Sequence, residues 1–154
     1  MMTNPSIDRS LDDKEMDHID HALGRPFDPL GETARNYFVT STNSTLARQF
    51  AASPNWKKGR HDAYGTAAFH VTEAGRKALS NHLKEIKDPH KAYEVIVGSR
   101  LSLDGAHTMV LVDKSASAAK YAAFLRFSDS SDLSFRDFLK GISVRRANVG
   151  SASA

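Results

Sequence analysis

Trp56-Lys57-Lys58-Gly59-Arg60-His61 is the stretch of the chain richest in side chains that could do chemistry. A run of cations attracts polyanions and raises association rates. A neighbouring indole can stack on a base or anchor a protein interface. The same tryptophan also fits a partly buried place in the sheet of the hairpin, and that reading comes first. Arg48 and Gln49 lie just upstream, on a short helix expected from Ser44 to Pro54. Arg48, Gln49, Trp56, Lys57, Lys58, Arg60 and His61 are therefore the candidate binding residues, and the contacts they offer are electrostatic.

Other constellations are weaker. Asp17-His18-Ile19-Asp20-His21 puts two histidines and two carboxylates on one helix. Metal ligation needs such convergence, and a solvated charged helix face has the same composition. His61 with Asp62 and Glu73 could form an acid–base group, but nothing in the spacing fixes their separation. His70 precedes Val71 in a strand and should point away from the core. Ser41 to Ser44 lacks the Gly-x-Ser-x-Gly setting of a nucleophile elbow, and there is no glycine-rich phosphate loop. Cysteine is absent, which removes disulfides, thiolate catalysis and cysteine-based zinc sites. No catalytic residue, metal or cofactor is expected.

The charge is unevenly spread. Residues 1–43 hold eight Asp/Glu against four Lys/Arg, whereas residues 44–87 hold eight Lys/Arg against three Asp/Glu. The basic block is the one that contains the candidate residues. A charged fraction of 25% and a hydrophobic fraction of 40% are ordinary for a folded domain. The acid-bearing start, Met1 to Asp20, does not read as a signal peptide, and no apolar run approaches the ~20 residues that span a bilayer. A soluble, cytoplasmic protein without membrane contact is expected.

The elements that must position these residues follow from periodicity and punctuation. Residues 1–10 are polar and read as a flexible terminus. Leu11, Met16, Ile19 and Leu23 mark a helix that Gly24 and Pro26 end. Arg35 to Val39 is aromatic, as either a helical turn or an extended segment. Ser44 caps a short helix with Leu46 and Phe50 on one side, stopped by Pro54. Trp56 to Arg60 reads as a strand, Asp62 to Ala68 as a loop, and Phe69 to Val71 as a strand returning antiparallel. Thr72 then caps a helix that carries Leu79 and Leu83. The predicted core is Leu23, Phe38, Leu46, Phe50, Phe69, Val71, Leu79 and Leu83. After a polar stretch, Tyr93–Leu103 and His107–Lys114 alternate around Asp104-Gly105 and predict a hairpin. Ser115 caps an alanine-rich helix, Asp132 or Ser134 caps a shorter one, and Ile142 with Val144 suggests a third strand. The expected fold class is α+β. A domain spans residues 11–87, a small ββααβ module residues 92–147, and a flexible tail residues 148–154.

Phe69-His70-Val71-Thr72-Glu73-Ala74-Gly75-Arg76-Lys77-Ala78-Leu79 resembles the last strand and following helix of winged-helix domains, which implies a winged-helix-like N-terminal domain. Together with His21-Ala22-Leu23-Gly24 and Arg35-Asn36-Tyr37-Phe38-Val39, it also looks like a family of small phage and prophage proteins of proteobacteria. Ser117-Ala118-Ala119-Lys120-Tyr121 with Ser134-Phe135-Arg136-Asp137-Phe138-Leu139 is similar to a second group of short phage proteins. The resemblance implies a mobile-element product and carries no activity with it. Phe50-Ala51-Ala52-Ser53-Pro54-Asn55-Trp56 departs from the usual Leu-x-x-x-Gly-Leu after a recognition helix, which puts major-groove reading in doubt. Two functions fit: a non-enzymatic regulator that binds nucleic acid, or an inhibitor that docks on a host protein complex. Phage antagonists of bacterial immunity, including anti-CRISPR proteins, are of this size and usually lack catalytic motifs.

Overall fold

Side-chain caps decide where the helices begin. The computed structural model describes residues 4–102, 104–128 and 132–147. Asp13 accepts from the Met16 N–H at 3.0 Å and starts α1, Lys14–Ala22. Leu11 lies ahead of this helix and is buried in the core from there. Ser44 accepts from the Ala47 N–H at 3.0 Å and starts α2, Thr45–Ala52. Thr72 accepts from the Gly75 N–H at 3.2 Å and starts α3, Glu73–Glu85. Each oxygen satisfies a donor that the first helical turn leaves unpaired.

The chain from Arg35 to Val39 is not a helical turn: it leads into a strand, β1, Phe38–Ser41. β2, Trp56–His61, and β3, Thr66–Val71, form a hairpin, and the antiparallel sheet has the order β1-β3-β2. Register puts Phe38 opposite Phe69 and Trp56 opposite Val71, so one face of the sheet is apolar. Ile19, Ala22, Leu23, Ala47, Phe50, Leu79 and Leu83 from the three helices complete that core. All eight predicted core residues take part, Phe38 and Leu46 half-buried against the rest.

α3 starts very close to the preceding chain. The Asn55 carbonyl accepts from the Thr72 N–H at 2.9 Å, and the Pro54 carbonyl accepts from the Thr72 hydroxyl at 2.7 Å. A Cβ on Gly75 would stand 2.6 Å from the Asn55 carbonyl oxygen. Arg76 then reaches back and donates to the Pro29 and Gly31 carbonyls at 3.0 and 3.1 Å, pinning the long connection after α1.

Residues 4–10, expected from their polarity to belong to a flexible terminus, are instead fastened. Arg9 makes a two-pronged pair with the fully buried Asp20, at 2.9 and 2.6 Å. Arg25 donates to Asp17 at 2.7 Å and to Asp20 at 3.2 Å. The Ile7 N–H bonds the Arg25 carbonyl at 2.7 Å, and the Ile7 side chain is buried. A buried carboxylate must be paired, so the segment that brings Arg9 is held with it.

The chain divides into two units, the first ending at Asp88 and the second beginning at Pro89. In the second unit β4, Lys91–Val97, pairs antiparallel with β5, His107–Asp113. α4, Ala116–Ser128, and α5, Phe135–Leu139, follow, and β6, Ile142–Arg146, pairs with the other edge of β4. Ser115 caps α4, and Ser134, not Asp132, caps α5. Ala119 and Ala123 are fully buried and let α4 sit close to Val95 and Val97. The predicted hairpin is right in pairing and wrong in length. β4 stops at Val97 and β5 begins only at His107, with those two residues paired, so the strands are not joined by a tight turn at Asp104-Gly105. The Gly98 N–H leaves the ladder to bond the Gly141 carbonyl at 2.8 Å, which ends the strand. Leu103 and residues 148–154 of the expected tail lie outside the described residues. Among the described residues the architecture is mixed α+β, with two three-stranded antiparallel sheets. Among the described residues no helix is long and apolar enough to cross a membrane.

Candidate nucleic-acid interface

The β2–β3 hairpin closes through Asp62-Ala63-Tyr64-Gly65. The Asp62 carboxylate accepts from the Tyr64 N–H at 2.8 Å, from the Thr66 N–H at 3.0 Å and from the Thr66 hydroxyl. These donors hold its carboxyl below the ordinary carboxylate range, the Thr66 hydroxyl first. Gly65 sits at φ +86°, a left-handed conformation that a glycine adopts without strain. Its carbonyl accepts from the Thr42 N–H at 2.8 Å, so the tip is also tied to the chain after β1.

The cations of β2 are exposed, and the register sorts them. Lys57 lies opposite His70, on the face away from the core. Lys58 lies opposite Phe69 and His61 opposite Ala67, so both fall on the core-side face beyond the core's edge. A bulge between Lys58 and His61 holds Arg60. Arg48 on α2 and Lys58 on β2 line one small cleft of about 130 Å³, with Thr42 and Ala51. Arg48 also folds back toward its own helix start, donating to the Asn43 carbonyl at 3.3 Å. Among the described residues no salt bridge engages Arg48, Lys57, Lys58 or Arg60.

Gln49 and Trp56 do not join that group. Gln49 faces a different, open cleft of about 730 Å³, lined also by Lys14, His18 and Trp56. Trp56 is only 6% exposed, and its ring stacks on Phe50 at 3.9 Å between centroids. It is therefore a core residue and not a platform for a base or a partner. The strand's pairing with Val71 turns the indole inward, which residue type alone does not reveal.

The remaining candidates have structural roles. His18 and His21 stand edge-on to the Phe38 ring at 5.4 and 5.6 Å. Burial pushes the His18 imidazole down from its ordinary value, against the pull of Asp17. The His70 Nδ1 lies 2.7 Å from the Asn36 carbonyl oxygen, and its ring covers Gly59. Asp62 is occupied by the hairpin tip, and Glu73 stands in the first turn of α3.

The residue that the sequence reading passed over is Tyr64. It is 93% exposed at the tip, a few residues after Arg60 and His61 in the sequence. An aromatic residue inside an Asp-x-x-Gly turn between two strands is the signal that would have found it. Compared with protein-family models, curated proteins and solved structures, the chain gives no match in any of the three.

Proposed function

We propose that the N-terminal unit is a winged-helix-like module that binds nucleic acid through the β2–β3 hairpin and Arg48, and that it acts by binding rather than by catalysis. The observation that carries the reading is the missing counter-charge among the described residues. Lys57, Lys58 and Arg60 crowd one hairpin, and Asp62, the acid nearest in sequence, is spent inside the turn. Like charges without internal partners cost stability unless a polyanion meets them. Arg48 and Lys58 come from separate elements and converge on one cleft, as a phosphate contact requires.

Affinity would come from the phosphate backbone. α2 is short, Pro54 stops it, and Arg48 is turned toward Asn43, so sequence reading by this helix is not favoured. In a mobile-element product, which the resemblance to phage proteins implies, such binding would serve regulation.

The test is a salt titration of wild type and a Lys57→Ala, Lys58→Ala, Arg60→Ala variant on a mixed-sequence duplex and on the matching single strand. Each lost phosphate contact lowers the slope of log affinity against log salt by about 0.9 for duplex or 0.7 for single strand. The variant is expected to lose about 2–3 from the slope and to bind all sequences more weakly. No binding by wild type near about 50 mM salt, or a variant with the full slope, rejects the reading. The protein-binding inhibitor would then be the function to pursue.

A further inference from the structure

Tyr64 places an aromatic ring at the outermost point of the cationic hairpin. Its 93% exposure leaves the ring without a packing partner among the described residues. The backbone beneath it is held from two sides. Asp62 takes the Tyr64 and Thr66 N–H groups, and the Gly65 carbonyl takes Thr42. A ring on a fixed backbone loses little freedom when it meets a flat partner. Within a few residues stand Lys58, Arg60 and His61, all exposed. A cationic track beside an exposed aromatic ring is the combination by which proteins hold single strands: phosphates meet the charges, and a base lies on the ring.

We propose that the ligand of this hairpin is a nucleic acid with unpaired bases, one of which stacks on Tyr64. The inference rests on the nucleic-acid reading above and adds the class of ligand. A duplex keeps its base faces covered by their neighbours and has no free face to give the ring. The short α2, with Arg48 bonded back to Asn43, offers a duplex little in its place. Phosphate contacts from Lys57, Lys58 and Arg60 need no duplex, and stacking tolerates any base, so little sequence preference is expected.

Fluorescence anisotropy at fixed salt decides it, with three labelled probes of equal length: oligothymidylate, the same backbone made abasic, and a duplex. The proteins are wild type, Tyr64→Ala and Tyr64→Phe. Tyr64 touches no core residue's place in the sheet, and equal thermal melts of the three proteins check that the fold is kept. Wild type is expected to prefer oligothymidylate to both other probes. Tyr64→Ala should weaken that complex by about 5- to 150-fold, the range that one base–aromatic stack supplies. It should leave the salt slope and the abasic complex unchanged, and Tyr64→Phe should restore the affinity. Duplex binding as tight as single-strand binding overturns the proposal, and so does a Tyr64→Ala protein within about twofold of wild type. In those two cases nucleic-acid binding itself stands. Absence of binding to every probe rejects both readings together.

Discussion

Phe69 is the side chain on which the N-terminal core converges. It is buried from β3, stands edge-on to Phe50 at 5.4 Å, and lies opposite Phe38 in the sheet. Phe50 in turn carries the Trp56 ring, so truncating Phe69 opens a cavity beneath a stacked aromatic pair. Phe69→Ala is expected to cost ~3–5 kcal/mol, the range for an aromatic ring removed from a tight core. Urea unfolding followed by Trp56 fluorescence measures it directly, since the chain has one tryptophan. A loss below about 1 kcal/mol would show that the site collapses freely and that the packing described here is wrong. The aromatic residues Trp56 and Tyr64 differ in fate for a local reason. One lies in register with Val71 on the apolar face, and the other sits past the last ladder pair with its ring 93% exposed.

At the scale of elements, the junction of β3 with α3 is the tightest feature. Thr72 serves twice, capping the helix through its oxygen and donating to the Pro54 carbonyl. Gly75 lets the first turn of α3 pass against Asn55. Alanine is the better helix former by about 1 kcal/mol, so on propensity alone Gly75→Ala would stabilise α3. The Cβ would meet the Asn55 carbonyl oxygen at 2.6 Å and Val71 Cγ1 at 2.7 Å, and the first of these is backbone that cannot swing aside. Overpacking of this kind costs ~1–3 kcal/mol, and the net effect is expected to be destabilising. A denaturation midpoint higher than wild type would mean that α3 shifts away from the 53–55 turn without loss. The same short connection sets the angle at which Leu79 and Leu83 meet the sheet.

At the scale of the molecule, the two units have separate cores, and the described titrating groups with a clear shift all lie in the first. His18 is held below its ordinary value by burial beside Phe38 and Phe50. The unfolded chain therefore takes up a proton near pH 6.5 that the folded chain resists. Stability from this group is complete above about pH 6.5 and falls as the pH drops through the lower folded value. Asp17 adds to the loss at more acid pH, because the Arg25 hydrogen bond holds its carboxyl below the ordinary carboxylate range. That contribution is present above the unfolded carboxylate value and disappears as the pH falls through the folded one. Melting temperatures are expected to drop between pH 7.5 and 5.5, and less so in His18→Gln, which has no proton to gain. Equal drops in both proteins would remove His18 as the cause.

The local elements were legible in the amino-acid sequence because their signals are local. Ser44, Thr72, Ser115 and Ser134 are capping residues, and their capping bonds reach only three positions along the chain. The alternation of Tyr93, Val95 and Val97 names a buried strand face without reference to its partner, and the mixed α+β class follows from such pieces. The cationic hairpin was legible too, since Lys57, Lys58 and Arg60 are neighbours. What required tertiary structure is whatever depends on a group far along the chain. Arg9 is fixed by Asp20, and polarity alone made that segment look loose. The strand β4 stops where Gly98 finds Gly141. Trp56 is taken out of the candidate interface by Phe50 and Val71. Tyr64 enters it because its ring stands exposed on the turn that Asp62 holds together. Side-chain type specifies what a residue can do, and only the packing of distant segments decides which residues are left free to do it.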